Sequence, residues 1–158
     1  MTSEGRLVRL GRRSRPLLAL AVVSVLLACE GGPPARDAFN APAVREFDTA
    51  GGVHIDVIRE GEGRAAEDGD RVELHYRLEL TDGTEVDASR RGKPLTFLVG
   101  GHEVIDGMHP AVRGMKPGEQ RTVTIPSKQG YGGRAVGKIP ADATLVFHLE
   151  MVDVHPRM

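Results

Sequence analysis

The chain has 158 residues, of which 40% are hydrophobic and 27% charged, a composition typical of one globular domain with short additional segments. Its formal net charge is −1, and five arginines lie within the first 15 residues, so the remainder is acidic and lacks the basic surface of a nucleic-acid-binding protein. Because Cys29 is the single cysteine, an intramolecular disulfide is excluded.

The first 28 residues have the order of an export signal, because the arginines precede an apolar run from residue 17 to residue 28 that is short for a membrane span. Leu26-Leu27-Ala28-Cys29 resembles the lipobox of bacterial lipoproteins, in which the cysteine becomes the lipidated first residue. The resemblance predicts a signal peptide over 1–28, lipid attachment at Cys29, and a lipid-anchored location at the bacterial cell envelope. The alternative is an ordinary secretory signal with an incidental cysteine.

Residues 29–50 are rich in glycine, proline, alanine and charge and show no periodicity. This composition predicts a flexible linker that follows Cys29 and leads into a folded domain over 51–158.

Strand patterns dominate the predicted domain. Alternating apolar residues predict strands near 53–57, 72–80, 86, 95–99, 121–125 and 145–154, and Asp82-Gly83 marks a hairpin turn. The second strand has a polar face, which predicts that one side of the sheet meets water.

One short helix interrupts the strand pattern. Apolar residues recur three and four apart from Val104 to Met115, with Asp106 as a possible N-cap and Gly114 as the end. Pro110 fits only within the first turn, and a helix this short needs a sheet to cover it. The pattern predicts an α+β fold, a curved antiparallel sheet of about five strands wrapped around one short helix.

A long glycine-rich loop over 127–140 contains one aromatic residue, Tyr131. Loops of that length in a small domain are usually functional or mobile.

Seven motifs in order and spacing resemble the FKBP-type peptidyl-prolyl isomerases over about residues 52–154. They are Val72-Glu73-Leu74-His75-Tyr76, Asp82-Gly83-Thr84, Val86-Asp87-Ala88-Ser89, Val104-Ile105-Asp106-Gly107, Gly114-Met115-Lys116-Pro117-Gly118-Glu119, Gly130-Tyr131-Gly132, and Ile139 to Phe147. The resemblance implies an FKBP-like fold with an apolar pocket for a proline-containing peptide between sheet and helix, and it implies isomerisation of Xaa-Pro bonds in exported proteins.

The resemblance also implies roles for particular residues. Catalytic roles fall to Tyr76, Asp87, Ile105 through its backbone N–H, Tyr131 and Phe147; substrate-binding roles fall to Val86, Leu95, Phe97, Val104 and Met108. Val86, Leu95 and Met108 stand where the family often has aromatic residues. The implied partners are proline-containing unfolded or exported polypeptides and macrocyclic inhibitors, with the membrane reached through the lipid anchor.

Two other function classes remain open at this point. One is an FKBP-fold chaperone or peptide-binding module with little turnover, which the thinned aromatic pocket favours, and the other is a scaffold for envelope assembly. No cofactor or metal is expected, since the six histidines show no close ligand spacing and are interpreted as surface or hydrogen-bonded groups.

Overall fold

The structure is a computed structural model that describes residues 36–158. The predicted signal peptide and Cys29 lie outside these described residues. In chain order the elements are the 3₁₀ helix η1 (Arg36–Phe39), β1 (Arg45–Asp48), β2 (His54–Arg59), β3 (Arg71–Leu80), β4 (Glu85–Ala88), β5 (Leu95–Leu98), α1 (Met108–Val112), β6 (Gln120–Ile125), the 3₁₀ helix η2 (Ser127–Gln129) and β7 (Leu145–His155). Between residues 36 and 158, no helix has the length and apolar character needed to cross a membrane.

The strands form one antiparallel sheet in the order β1-β2-β6-β7-β3-β4, and β5 pairs with the first part of β3. The central strand β7 pairs with β6 on one side and with β3 on the other. A bulge at Val152 shifts the alternation of β7 by one residue, so Val154 returns to the core. The predicted α+β architecture is confirmed, with seven strands where about five were expected.

The segment expected to be a flexible linker contributes to the fold from residue 36 onward. β1 pairs with β2 and places Phe47 opposite Ile55. Phe39 of η1 is buried, and its ring centroid lies 4.8 Å from that of His148. The ordered sheet therefore begins before the expected boundary at residue 51, because two phenylalanines supply packing that the average composition of the segment conceals.

The polar face of β3 is covered only in part: Arg71 at its start is exposed, as expected, but the expectation that this face meets water is wrong for His75 and Arg77. His75 and Arg77 are only 5% and 6% exposed, and Arg77 Nε lies 3.1 Å from Glu79 Oε1. Arg77 is the cross-strand partner of His148, against which Phe39 packs. Alternation in the sequence identifies the polar side chains, but it does not show that an N-terminal segment covers them.

Helix α1 begins directly against the sheet. Its N-cap is Gly107 rather than the predicted Asp106, and no side chain caps it. A Cβ atom at Gly107 would lie 2.4 Å from Ile125 Cγ2, so only glycine allows the chain to approach β6 this closely. Pro110 lies in the first turn, as predicted, and the buried residues Met108, Ala111 and Val112 join the core.

A buried ion pair fixes the other end of α1. Arg121 and Glu119 are each 1% exposed, and Arg121 Nε donates to Glu119 Oε1 at 2.6 Å. Arg121 Nη1 also donates to the carbonyl oxygens of Ala111, at 2.8 Å, and Arg113, at 3.2 Å. The second Glu119 oxygen accepts from the Lys116 N–H at 3.0 Å. The pair therefore joins the end of the helix to β6 and satisfies carbonyl groups that a helix terminus leaves free.

Candidate active site

A cavity of about 180 Å³ lies between the N-terminal end of α1, strands β3, β4, β5 and β7, and the loop that follows η2. It is lined by Tyr76, Leu78, Asp87, Leu95, Glu103, Val104, Ile105, Met108, Tyr131 and Phe147. Apolar walls with a few convergent polar groups are typical of sites that bind small ligands or single side chains.

Tyr76 and Asp87 form the polar wall of the cavity. The Tyr76 hydroxyl donates to Asp87 Oδ2 at 2.6 Å, and the other Asp87 oxygen accepts from the Ala88 N–H at 2.9 Å. Burial, and secondly the hydrogen bond to Asp87, raise the pKa of Tyr76 above its ordinary value. The tyrosine is therefore a neutral phenol with a fixed direction.

The Ile105 N–H is a backbone donor at the mouth of α1 that makes no hydrogen bond to any group within residues 36–158. Its neighbours are fixed, because the Ile105 carbonyl accepts from the Met108 N–H at 3.0 Å and the Gly107 N–H donates to the Gln129 carbonyl at 2.8 Å. A rigid, unused donor beside an apolar cavity can bind a carbonyl oxygen.

Two aromatic side chains close the cavity. Phe147 of β7 is 5% exposed, and its ring centroid lies 6.2 Å from that of Tyr76. Tyr131 stands on the long loop between Gly130 and Gly132, whose N–H groups both donate to the Ser127 carbonyl, at 2.9 and 2.8 Å. The loop is therefore held where it presents Tyr131 to the cavity.

The cavity brings together most of the predicted site residues, namely Tyr76, Asp87, Leu95, Val104, Ile105, Met108, Tyr131 and Phe147. Two predicted wall residues are not among those that line it. Phe97 is fully buried in the core, with its ring centroid 6.1 Å from that of His109. Val86 lies at a register shift between β3 and β4 and packs against the edge of the core.

The cavity also contains two residues that the sequence analysis missed. Leu78 is two positions after Tyr76 and therefore lies on the same face of β3, so the period-two pattern of this strand could have predicted its place in the cavity. Glu103 lies in an irregular segment and its Oε2 accepts from the Leu98 N–H at 2.6 Å. No sequence pattern indicated that position.

A separate polar cluster lies on β1 and β2, at the opposite edge of the sheet from β4. Ligand atoms of Glu46, His54 and Asp56 lie within 4.8 Å of one another. The His54 ring is 2.8 Å from Asp48 and 3.1 Å from Asp56, and its hydrogen bond to Asp48 is the main reason that the pKa of His54 is raised. Cross-strand pairing creates this proximity, which linear spacing does not reveal.

Residues 62–152 match the family model described as FKBP-type peptidyl-prolyl cis-trans isomerase. The chain belongs to this family. FK506-binding protein 1A of Neurospora crassa is 47% identical over 106 residues, which cover 65% of this chain and 88% of that protein. FK506-binding protein 1 of Dictyostelium discoideum is 45% identical over 103 residues, which cover 64% and 96%.

Solved structures agree with this assignment. The crystal structure of FkpA from Escherichia coli is similar with a TM-score of 0.64 and 34% identity, over 72% of this chain and 53% of that one. The chain spans between 21% and 28% of the longer fungal FK506-binding protein 4 relatives. The predicted FKBP-like fold and the predicted enzyme class, peptidyl-prolyl cis-trans isomerase, are confirmed.

The same comparisons correct the predicted location. The curated relatives reported above come from Neurospora and Dictyostelium, which are eukaryotes, and this contradicts the bacterial, lipid-anchored envelope location inferred from the N-terminal segment. The two relatives are named for binding FK506, and the family is named for peptidyl-prolyl isomerisation.

Proposed function

We propose that the domain accelerates rotation about Xaa-Pro bonds of polypeptide substrates by enclosing the prolyl ring in the cavity at the N-terminal end of α1. The observation that carries the proposal is the convergence of the Tyr76–Asp87 pair and the unused Ile105 N–H on one apolar cavity. In this assignment Tyr76, Asp87, Ile105, Tyr131 and Phe147 act on the substrate, and Leu95, Val104 and Met108 form the walls.

Rotation about an Xaa-Pro bond requires no bond to the enzyme. The barrier of about 20 kcal/mol comes from loss of amide resonance. The planar amide is dipolar and well hydrated, whereas the twisted amide is less so, and an apolar cavity that removes water therefore disfavours the planar state more. This difference in binding lowers the barrier.

Hydrogen bonds supply a smaller share of the acceleration. A 10⁴-fold acceleration requires about 5.4 kcal/mol, whereas one hydrogen bond contributes about 1 kcal/mol net. Two hydrogen bonds, from the Ile105 N–H and from the Tyr131 hydroxyl, therefore contribute less free energy than this acceleration requires. Their role is to hold two substrate carbonyl groups while shape and desolvation by the cavity supply the rest.

A second candidate function is binding of proline-bearing chains with little turnover. The aliphatic side chains of Leu95 and Met108 in the cavity favour it, because methionine adapts to varied partners. Suppression of aggregation that survives Asp87→Ala and Tyr131→Ala would support this candidate.

A protease-coupled assay on a panel of Xaa-Pro peptides tests the proposal. We expect turnover well above the buffer rate, and a loss of at least about fivefold in Tyr131→Phe, the equivalent of one hydrogen bond. Phe147→Ala opens the cavity and should lose more. Val44→Ala, at a side chain that is 63% exposed just before β1, is the control and should retain full activity.

Two results would overturn the assignment. One is activity no greater than in buffer, and the other is activity that neither Tyr131→Ala nor Asp87→Ala alters while circular dichroism shows both variants folded.

The signal peptide over 1–28 and lipid attachment at Cys29 stay predictions from the sequence. Incorporation of labelled palmitate that disappears in Cys29→Ser would support attachment at that residue. Equal incorporation in the variant would contradict it.

A further inference from the structure

The turn between β4 and β5 holds two cationic side chains next to each other. Arg90 and Lys93 form an isolated antiparallel bridge, in which the Lys93 N–H donates to the Arg90 carbonyl at 2.9 Å. Gly92 at the tip has a φ of +69°, a conformation that glycine adopts without strain. Partners in such a bridge project to the same side, so the two cationic side chains start from neighbouring positions on one side of the turn.

This pair of positive charges is uncompensated within residues 36–158, where neither Arg90 nor Lys93 makes an ion pair. Like charges directly opposite each other in a bridge are destabilising. An anion bound between the two side chains would remove that repulsion. The arrangement therefore favours a negatively charged ligand.

The two cations border a hollow of about 350 Å³ that adjoins the proline cavity. The hollow is lined by Tyr76, Ala88, Ser89, Arg90, Lys93, Pro94 and Leu95. Tyr76 and Leu95 also line the proline cavity, so the two spaces share a wall. The shared wall puts the hollow next to the place of a prolyl ring in the cavity, within reach of a residue that flanks the proline.

We propose that this hollow, here called the cationic subsite, binds an acidic side chain that flanks the proline of the substrate. The carboxylate lies against Arg90 and Lys93, and the methylene groups of the acidic side chain lie against Pro94 and Leu95. This inference rests on the proposed function, because it takes the adjoining cavity as the place of the prolyl ring. It makes the β4–β5 turn a determinant of substrate choice.

The test is a set of Xaa-Pro peptides with glutamate, glutamine or lysine at each of the two positions before and after proline. We measure kcat/KM by exchange spectroscopy and binding by fluorescence anisotropy of labelled peptides. At one of these positions we expect glutamate to be preferred over glutamine about fivefold at low salt, with the preference falling at high salt, as for exposed ion pairs.

Variants identify the source of that preference. The double variant Arg90→Gln/Lys93→Gln should remove it, and Arg90→Glu/Lys93→Glu should reverse it toward lysine peptides. The reversal shows that the variant is folded and competent to bind. Lys116→Gln removes a charge beyond the other end of α1 and should leave the preference unchanged.

Two results would overturn the proposal that the hollow binds an acidic side chain. One is a preference for glutamate that persists in both double variants. The other is equal kcat/KM and equal affinity for glutamate and glutamine peptides at every position. Failure of the proposed isomerase function can be told apart from failure of the subsite. If the protein is no isomerase, it turns over none of the peptides, but fluorescence anisotropy still shows whether glutamate peptides bind more tightly than glutamine peptides.

Discussion

Tyr76 remains protonated because of where its hydroxyl lies. Burial is the main cause of the raised pKa of Tyr76, and Asp87 adds to it, because it accepts the hydrogen bond of the hydroxyl at 2.6 Å and its charge would repel an ionised phenolate. We expect kcat/KM to stay level from pH 7 to about 10, where free tyrosine titrates. The measurement is made in the Tyr131→Phe variant, so that Tyr76 is the one tyrosine hydroxyl lining the cavity. A fall in kcat/KM of that variant centred near pH 10, with the fold intact by circular dichroism, would contradict the expectation.

A second carboxylate, that of Asp70, governs the response of stability to acid. Its side chain is 3% exposed and accepts hydrogen bonds from Arg64 Nη1 at 2.6 Å, from the Glu67 N–H at 2.9 Å and from the Arg157 N–H at 3.2 Å. These donors favour the ionised form, and the backbone bond from Glu67 contributes most to lowering the pKa of Asp70. The folded state thus holds the carboxylate ionised to lower pH than the unfolded state does.

The sign of the pH dependence follows from that lowered pKa. Above the unfolded value of 3.8 the stabilisation by Asp70 is fully present, and it is lost as the pH falls through the lower folded value. We expect Asp70→Asn to reduce the urea midpoint at pH 7 and to differ less from the parent protein as the pH falls below 3.8. Glu62→Gln, at an exposed carboxylate, serves as the control. A difference in urea midpoint between Asp70→Asn and the parent protein that stays constant down to the lowest pH would exclude stabilisation by the ionised Asp70 carboxylate.

At the scale of elements, helix α1 has only five residues, too few to be stable alone. Its N-terminal end is fixed by the approach of Gly107 to Ile125, and its C-terminal end by the Glu119–Arg121 pair. Both anchors are on or next to β6. The position of the helix, and with it the Ile105 N–H, therefore depends on β6 and on the hydrogen bond from the Gly107 N–H to Gln129 of η2.

Removing one partner of the buried pair should be costly. Arg121→Met leaves Glu119 as an uncompensated buried charge, and we expect a loss of about 3–5 kcal/mol in the free energy of unfolding by urea denaturation. The double variant Glu119→Gln/Arg121→Met should recover part of that loss. Arg113→Met breaks an exposed pair with Asp68, whose N–O distance is also 2.6 Å, and should cost less than about 1 kcal/mol. Equal losses in the two single variants would contradict the role of burial.

At the scale of the whole molecule, η1 covers part of the back of the sheet, next to β7. Phe39 is 9% exposed and packs against His148. We expect Phe39→Ala to lower the free energy of unfolding by about 3 kcal/mol, as for other buried phenylalanines. Val44→Ala, at a side chain that is 63% exposed, should change the free energy of unfolding by less than about 0.5 kcal/mol.

Activity separates this packing role from a role in the cavity. Phe39 packs against β7 through His148 and does not line the cavity, so folded Phe39→Ala protein should retain its kcat/KM. A loss of kcat/KM at a temperature where the variant is folded would show that the cover also shapes the cavity.

Much of the fold could be predicted because its strands alternate and its turns carry glycine. The long strands β3 and β7 follow the period-two pattern closely, apart from the bulge at Val152. The cover was missed because Phe39 is an isolated aromatic in a stretch rich in proline and alanine. Single hydrophobic contacts over a long sequence separation leave no local pattern.

The candidate site could be predicted where residues lie on regular elements or within the seven motifs. Tyr76 and Phe147 occupy alternating positions on paired strands, whereas Glu103 lies in an irregular segment. Asp87 pairs with Leu78 and lines the cavity with it, whereas Val86, the next residue along β4, does not line it. Likewise, the charged residues Glu119 and Arg121 alternate as they would on a surface strand, but contacts with the end of α1 and with Phe47 of β1 bury Arg121.

The central place of β7 has a consequence for synthesis on the ribosome. Before residues 145–155 emerge, the chain holds two separate groups of strands, β1-β2-β6 and β3-β4-β5, with no pairing between them. The last strand to be translated is the one that joins them, and it also carries Phe147. The nascent polypeptide therefore cannot complete the sheet cotranslationally until that segment has left the exit tunnel, and the exposed strand edges are open to chaperones during this interval.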